Sequence, residues 1–166
     1  MCIRDRNSNN FRERYFKGRV YITLAPAIFL ASCVWFTPNV VATKLAHAFQ
    51  LYLCLLLFFA STYLWAQSKI TVSIFPDHFA FRLALILLLI AVVGGLLTFY
   101  LNPAYGLGLV LAGLLSLLFF GLPDQTKVQS PFWFKELIRK SNIMLCICLI
   151  VMLAYWLNPY SQPLSY

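Results

Sequence analysis

The sequence predicts an all-α membrane protein, a bundle of five transmembrane helices with a short cytoplasmic interfacial helix. Hydrophobic residues make up 61% of the 166 residues and charged residues 11%, whereas soluble domains have roughly 45–50% and about 25%. The apolar residues are concentrated in five runs near the length that crosses a bilayer. Lys and Arg fall almost entirely on one side of the membrane that these runs imply.

Each predicted span is a continuous apolar run, because a helix of about 20 apolar residues crosses the hydrocarbon core. The runs cover residues 20–37, 45–66, 81–101, 104–122 and 143–158. The fifth run is short. In lipid, helices and closed barrels satisfy their backbone hydrogen bonds, and barrel strands alternate polar and apolar residues. These runs do not alternate, so each is predicted to be a helix.

Proline-containing pairs mark the ends of several runs. Pro38 and Asn39 follow the first run, and Pro123 and Asp124 follow the fourth. The pair at 102–103, Asn-Pro, leaves almost no loop between the third and fourth runs. These two helices are therefore predicted to form a tight antiparallel hairpin.

The charges predict the orientation. The chain has 13 Lys and Arg against 5 Asp and Glu, a net charge of +8. With the N-terminus inside, every Lys and Arg except Lys44 lies on the cytoplasmic side, which is the bias of inner-membrane proteins. We therefore expect a multi-pass protein of the bacterial inner membrane, with a basic cytoplasmic segment at 1–19 and a short periplasmic tail at 159–166. The opening MCIRDR, residues 1–6, resembles translated sequencing adaptor and is a candidate for foreign sequence.

Few catalytic arrangements are available to this chain. It has 5 acidic residues and 2 His, and it contains no Ser/His/Asp, HExxH, P-loop or dinucleotide-binding motif. The five Cys form no CxxC pair and no zinc spacing. Four of them lie in apolar runs, where free Cys behaves as a small hydrophobe; a redox or metal role for Cys146 and Cys148 is the alternative. No catalytic, metal-binding or cofactor-binding residue is predicted.

Small residues recur along the predicted hairpin. They are Ala91, Gly94 and Gly95 in the third run and Ala104, Gly108, Ala112 and Ser116 in the fourth. Small residues four apart let helix backbones approach closely in lipid. The pattern predicts packing of the third helix against the fourth, with oligomerisation through the same stripe as the alternative.

The last loop, residues 130–141, reads SPFWFKELIRKS and has the features of a surface helix. Ser130 suits the N-cap and Pro131 the first turn. One face carries Phe134, Leu137, Ile138 and Ser141, the other Lys135, Glu136, Arg139 and Lys140, with Phe132 and Trp133 as aromatic anchors. This pattern predicts an interfacial amphipathic helix on anionic lipid headgroups. Docking of a partner protein is the alternative.

Ionisable residues are absent from mid-membrane depth in the five runs. Asp77, His78 and Arg82 lie together at the start of the third run, where an acidic residue is favoured by the helix dipole. A catalytic or proton-handling role for these three is the alternative. A transport cavity would be lined by the polar or kinked positions Pro26, Gln50, Ser61, Thr62 and Thr98.

Three stretches carry a resemblance to a known family: LAPAIF in the first run, FFASTYLWA in the second, and PFWFKELIRK in the last loop. Between Val20 and Leu157 the chain resembles the five-helix membrane proteins catalogued as domain of unknown function 3429, which include the eukaryotic transmembrane protein 69 group. The family has a glycine pair at Ser61-Thr62 and a His at Leu64. The resemblance implies the five-helix architecture and no known activity.

The features together favour a structural or accessory protein of a membrane complex. The expected partners are the bilayer with its anionic headgroups, and a membrane protein or a second copy of the chain. Nucleic acid is not expected, because the basic residues lie between apolar runs. A small oligomeric transporter or channel is the first alternative. A membrane enzyme acting on lipid or quinone is the second.

Overall fold

A computed structural model describes the backbone of residues 3–70, 78–120 and 132–158, and the side chains of 14–66, 81–118 and 133–158. The described chain is helical throughout apart from short connections. The helices are α1 (Ile3–Cys33), α2 (Asn39–Ile70), α3 (His78–Tyr100), α4 (Pro103–Phe120) and α5 (Phe132–Leu157). A 3-10 helix, Val34–Phe36, follows α1. Pro38 then begins a new turn, since its carbonyl oxygen accepts hydrogen bonds from the N–H groups of Val41 and Ala42.

Each helix packs against its neighbour in the chain, and α5 also packs against α1. Consecutive helices are antiparallel, whereas α1 and α5 are parallel, because Phe16 meets Trp133 and Trp35 meets Tyr155. The starts of α1, α3 and α5 therefore lie at one end of the bundle. We call this the basic end, for the charges described below, and the other the opposite end.

The core follows the helical period. On α2 the buried side chains are Ala42, Ala46, Phe49, Gln50, Leu53, Leu57 and Ser61, and on α3 they are Ala84, Leu87, Ala91, Gly94 and Thr98. These spacings of three and four keep one face of each helix inward. Large apolar side chains remain exposed outside, for example Leu89 at 61% and Ile147 at 55%. Such a continuous apolar exterior is unfavourable in water and suits lipid.

Four helices are long and apolar enough to cross a membrane, within the part of the chain described: Arg14–Phe36, Asn39–Ala66, Phe81–Tyr100 and Trp133–Leu157. The described apolar part of α4, Pro103–Leu118, is shorter. The length and composition of these helices are those of a multi-pass membrane protein. The fifth predicted run, 143–158, is the shortest in the sequence, whereas the shortest of the described α-helices is α4, because α5 begins at Phe132, before that run.

The predicted interfacial helix is not a separate element here. Its described residues form the first turns of α5, which runs unbroken from Phe132 to Leu157. The junction at Ser141 and Asn142 contains no Gly or Pro, so nothing in the sequence interrupts the helix. The described part of the predicted basic segment, residues 3–19, is likewise continuous with the first span in α1. The predicted tail, 159–166, lies outside the described residues.

The predicted hairpin is present. Helix α3 ends at Tyr100 and α4 begins at Pro103, so two residues make the connection. The Asn102 side-chain oxygen accepts a hydrogen bond from the Ala104 N–H at 3.0 Å, which caps α4. Proline at the first helical position removes an N–H that would have no partner in the helix.

Aromatic rings are exposed at both ends of the bundle. Trp35, Phe36, Tyr100 and Tyr105 are at the opposite end, and Tyr15, Phe16, Tyr63, Trp65 and Phe81 are at the basic end. Trp and Tyr are enriched where a membrane protein meets both interfaces. Two aromatic bands with an apolar zone between them are therefore the arrangement that a bilayer favours.

Candidate functional site

Polar side chains of α2 line its contact with α3. The Ser61 hydroxyl donates to the carbonyl oxygen of Ala84 at 2.7 Å, and the Cys54 thiol donates to that of Ala91 at 3.2 Å. Gln50 lies further along the same face, fully buried. We call Gln50, Cys54 and Ser61, with the α3 backbone that they face, the polar seam.

The polar seam results from the helical period. Gln50, Cys54 and Ser61 are four and seven residues apart, and therefore share one face of α2. Their partners on α3 are small, so the two backbones approach closely enough for a short side chain to reach a carbonyl oxygen. The seam thus uses polar groups to join helices in a zone that is otherwise apolar.

The seam continues into a close contact between α3 and α4. A Cβ placed on Gly106 would lie 2.3 Å from the carbonyl oxygen of Gly94 and 1.9 Å from Oγ1 of Thr98. A Cβ on Gly94 would lie 3.0 Å from Val110 Cγ2. The Thr98 hydroxyl donates to the Gly94 carbonyl oxygen at 2.9 Å. The two backbones therefore touch at a point that requires glycine at 106.

Gln50 is the polar group of the seam that is only partly satisfied. Its Nε2 lies 3.8 Å from the Cys54 sulfur, and a Cβ on Gly94 would lie 3.3 Å from that Nε2. Its Oε1 has no hydrogen-bond partner within the described residues. Leaving a buried polar atom unpaired costs about 1–3 kcal/mol, so Gln50 is the position of the seam where a further polar group would be accommodated.

Other helix pairs are also joined by single polar contacts. The Asn142 side chain of α5 donates to the Leu114 carbonyl oxygen of α4 at 3.1 Å. The Tyr155 hydroxyl donates to the Asn39 side-chain oxygen at 3.1 Å, joining α5 to the start of α2. The Tyr52 hydroxyl of α2 donates to the Thr23 carbonyl oxygen of α1. Each of these three contacts uses a polar side chain to join two helices.

At the basic end, aromatic rings join three helices. Phe16 of α1 lies 6.0 Å from Trp133 and 5.8 Å from Phe134 of α5, between ring centroids. Tyr63 of α2 lies 6.0 Å from Phe134. Edge and tilted geometries at these distances are favourable. We call Phe16, Tyr63, Trp133 and Phe134 the aromatic cluster, and it fixes the start of α5 against α1 and α2.

Most of the described cations lie at the same end of the bundle as this cluster. Seven of the eight described Lys and Arg side chains lie at this end of the bundle. The seven are Arg14, Lys17, Arg19, Arg82, Lys135, Arg139 and Lys140, and the eighth, at the opposite end, is Lys44. Lys17 Nζ lies 5.9 Å from the Trp133 ring centroid, within reach of a cation–π interaction. Lys140 Nζ pairs with Glu136 Oε1 at 2.8 Å.

The interfacial candidates predicted from the last loop lie at this end on the first three turns of α5. Trp133 and Phe134 belong to the aromatic cluster, and Leu137 is buried at 3% exposure. Lys135 is half-buried, whereas Arg139 and Lys140 are exposed. The predicted apolar face therefore packs on the bundle itself, and the exposed cations remain available to headgroups or to a partner.

The predicted small-residue stripe lies in a different register from the observed contact. Gly94 is at the contact, and Gly95 faces Cys54 with an added Cβ 3.5 Å from its sulfur. On α4, Gly108 has open space around an added Cβ, and Ala112 and Ser116 are exposed. Ala104 is half-buried against the core. The face of α4 that meets α3 is instead the one with Gly106 and Gly113.

Gly106 and Gly113 were not among the predicted packing residues. A Cβ on Gly113 would lie 2.7 Å from Ile90 Cδ1. The available signal is their separation of seven residues, which places them on one face with the buried Leu107, Val110 and Leu114. Residues spaced four apart move gradually around a helix of 3.6 residues per turn. Over four turns such a spacing therefore predicts the packing face less well than a spacing of seven residues does.

The remaining polar candidates are not brought together. Arg82 is exposed at the start of α3, and the side chains of Asp77 and His78 lie outside the described residues. Of the positions proposed to line a cavity, Gln50, Ser61 and Thr98 are buried, whereas Pro26 and Thr62 are exposed. Ser61 and Thr98 are engaged in the hydrogen bonds given above, which leaves Gln50 Oε1 unpaired.

Cys146 and Cys148, left open for a redox or metal role, are both buried free thiols. Within the described side chains, no group of three or more His, Cys, Asp or Glu is placed to hold a metal ion. The comparisons with family models, curated proteins and solved structures gave no match. The resemblance to the five-helix family therefore stays a prediction from the sequence.

Proposed function

We propose that this chain is a five-pass protein of the bacterial inner membrane with its basic end in the cytoplasm, and that it acts as a structural or accessory component of a larger membrane complex. The proposal rests on where the polar side chains and the charged side chains lie in the bundle. Several polar side chains, among them Ser61, Cys54 and Asn142, join one helix to the next, whereas the described charges collect at one end of the bundle.

The orientation is supported by the distribution of the cations. Seven described Lys and Arg side chains lie at the basic end and Lys44 alone at the other. Excess Lys and Arg near the ends of spans stays in the cytoplasm during insertion. The α1 and α5 starts share the basic end, so the N-terminus is cytoplasmic and the end of α5 periplasmic under this proposal.

Under this proposal each of the five helices, including α4, crosses the membrane. It has 18 residues, which span about 27 Å, close to the hydrocarbon thickness of about 30 Å. It packs beside α3 through Gly106 and beside α5 through Leu114. A helix held between two crossing helices along its length is supported as a crossing itself.

The accessory role is supported by what the interior polar groups do. Ser61, Cys54 and Asn142 each donate to a carbonyl oxygen on a neighbouring helix. A hydrogen bond between membrane helices stabilises their packing by about 0.6 kcal/mol on average. These polar groups hold neighbouring helices of the bundle together. The exposed basic end is therefore the surface that we propose for a partner.

The test is site-directed photo-cross-linking in membranes, with a photoreactive residue at the exposed Arg139 of the basic end or at Lys44 as the matched control. We expect a discrete protein adduct from Arg139 and none from Lys44, and co-purification of the same adduct partner in mild detergent. A chain that forms no adduct from either position and purifies alone as a monomer contradicts the accessory role.

A small oligomeric transporter is the second candidate, and one observation favours it. Gln50 is fully buried with Oε1 unpaired within the described residues, as in a site that receives a polar solute. Under this proposal, liposomes containing the chain pass small solutes faster than empty vesicles, and Gln50→Leu abolishes the difference. Equal flux with and without protein removes this candidate.

A further inference from the structure

We propose that the outer face of α1 around Pro26 docks one transmembrane helix of a partner protein, and that an Asn or Gln side chain of this helix donates to the carbonyl oxygen of Ile22. This docking face rests on the proposed function, because it names a contact with the partner inside the membrane. Its starting point is a hydrogen-bond donor that the sequence of α1 removes.

Pro26 lies inside α1 and leaves one carbonyl oxygen without its regular donor. In an α-helix the backbone N–H at this position would donate to the carbonyl oxygen of Ile22, and proline has no N–H. Pro26 is near the middle of the span Arg14–Phe36, about 18 Å from one end and 15 Å from the other. At that depth in lipid, a neighbouring helix rather than water supplies a missing hydrogen bond.

The bundle supplies one such donor beside this position. The Tyr52 hydroxyl of α2 donates to the carbonyl oxygen of Thr23, the residue after Ile22. Successive carbonyl groups are turned by about 100° around a helix, so Tyr52 serves the side of α1 that faces α2. The Ile22 carbonyl oxygen lies instead on the outer face, because Ile22 is 72% exposed and Pro26 is exposed as well.

The side chains of the outer face have the spacing of a helix–helix contact. Ile22, Ala25, Phe29, Ser32 and Phe36 are all exposed and follow one another at alternating intervals of three and four residues. This is the heptad spacing with which one helix packs against another. Large and small side chains alternate along it, and the small ones, Ala25 and Ser32, let a second backbone approach closely.

The chemistry of the donor follows from the exposed hydroxyl groups of α1. Those of Thr23 and Ser32 each donate to a carbonyl oxygen of their own helix at 2.9 Å, as Ser and Thr commonly do in helices. An amide side chain has two N–H donors. Asn142 of α5 uses one of them on the Leu114 carbonyl oxygen of α4 at 3.1 Å, and an amide of the partner would act on Ile22 in the same way.

A second copy of this chain does not offer the required amide. Away from their ends, the described spans contain two amide side chains, Gln50 and Asn142. Gln50 is fully buried, and Asn142 is engaged with Leu114. The donor to Ile22 therefore comes from another protein.

The test uses the full chain in liposomes and two synthetic transmembrane helices as probes. One probe is a polyleucine helix with a single Asn at its centre, and the other has Leu there. Binding to the labelled chain is followed by fluorescence energy transfer, at a dilution where the probes stay monomeric. We expect the Asn probe to bind about threefold more tightly, which corresponds to one hydrogen bond between membrane helices. Equal affinity for the two probes overturns the proposal.

Pro26→Ala tests whether the Ile22 carbonyl oxygen is the acceptor. The variant restores the backbone N–H that donates to Ile22, and it keeps the helix, because alanine favours a helix more than proline does. The Asn probe should then lose its advantage over the Leu probe. A threefold preference that survives in Pro26→Ala overturns the proposal.

A bulky substitution locates the docking face. Ala25→Trp fills one of the small positions on the outer face of α1 and should weaken binding of both probes. The matched control is Leu89→Trp on α3, where the native side chain is 61% exposed, and it should leave the binding of both probes unchanged. Equal losses in the two variants contradict a local docking face.

This outcome is separable from the proposed function, which is measured by the adduct from Arg139 at the basic end. A chain that forms this adduct and shows no preference for the Asn probe counts against the docking face alone. Loss of the adduct together with an intact preference counts against the basic end as the partner surface.

Discussion

The polar seam and the basic end use polar residues in opposite ways. In the seam, Ser61 and Cys54 donate to backbone carbonyl oxygens of α3, with Ser61 buried and Cys54 half-buried. At the basic end, Arg139 and Lys140 stay exposed on the same helix that carries Trp133 and Phe134 of the aromatic cluster. The difference indicates that the polar seam contributes to the packing of α2 on α3, while the basic end presents its charges to the outside of the bundle.

The largest effect is expected from Gly106→Ala. The added Cβ would lie 2.3 Å from the Gly94 carbonyl oxygen, and backbone cannot yield as a flexible side chain can. Overpacking of this kind costs about 3 kcal/mol, so the detergent-solubilised chain should unfold at a clearly lower temperature. The matched control is Gly108→Ala, which has open space and should leave the unfolding midpoint unchanged or raise it slightly, because alanine favours a helix more than glycine does.

A second variant shows whether the backbone contact is the cause. Thr98→Ala removes the 1.9 Å clash with Oγ1 but leaves the clash with the Gly94 carbonyl oxygen. We expect Thr98→Ala to give little rescue of Gly106→Ala. Full recovery of the unfolding midpoint in the double variant would place the conflict at the side chain and refute a backbone contact.

An intermediate effect is expected from Trp133→Ala at the basic end. Its ring meets Phe16 and Phe134 at 6.0 and 5.9 Å, and each such pair contributes about 0.5–1.5 kcal/mol. Amide exchange should speed up locally in the first turns of α5 and in α1 near Phe16, with little change in the seam. Tyr100→Ala, at an 83% exposed ring of the opposite end, is the control. Acceleration throughout the bundle would contradict a division into two regions.

The smallest effect is expected from Ser61→Ala in the seam. It removes the hydrogen bond to the Ala84 carbonyl oxygen, worth about 0.6 kcal/mol. Thr62→Ala is the control, because the exposed Thr62 hydroxyl bonds to carbonyl oxygens of its own helix. Stability in detergent should fall for Ser61→Ala and not for Thr62→Ala. Equal changes in the two variants would remove the seam as a stabilising contact.

Hydropathy predicted the five helices because a span needs a long apolar run whatever its neighbours are. The ends were less predictable. Helix α5 includes the amphipathic stretch from Phe132, since no Gly or Pro separates it from the span, and hydropathy does not register a helix that continues into polar sequence. The Asn102-Pro103 hairpin was predictable because its signal is local.

The contacts between helices were less predictable than the helices. The register of α4 against α3 depends on where two backbones cross, which no single segment encodes. The sequence therefore indicated Gly94 but missed Gly106. Two of the four residues of the aromatic cluster, Trp133 and Phe134, were predicted from the sequence as interfacial residues. Phe16 and Tyr63 are distant in sequence, and the bundle alone brings them to the same place.

Under the proposed function, all five helices cross the membrane with the basic end in the cytoplasm. Leu101 and Lys135 flank α4, the shortest of the described α-helices. The side of the membrane on which each residue lies therefore shows whether α4 crosses it. Each is replaced by Cys in a chain without its native cysteines, and intact cells are treated with a membrane-impermeant thiol reagent. We predict labelling of Leu101→Cys from outside, and of Lys135→Cys only after the membrane is permeabilised. Labelling of both from the same side would contradict five crossings.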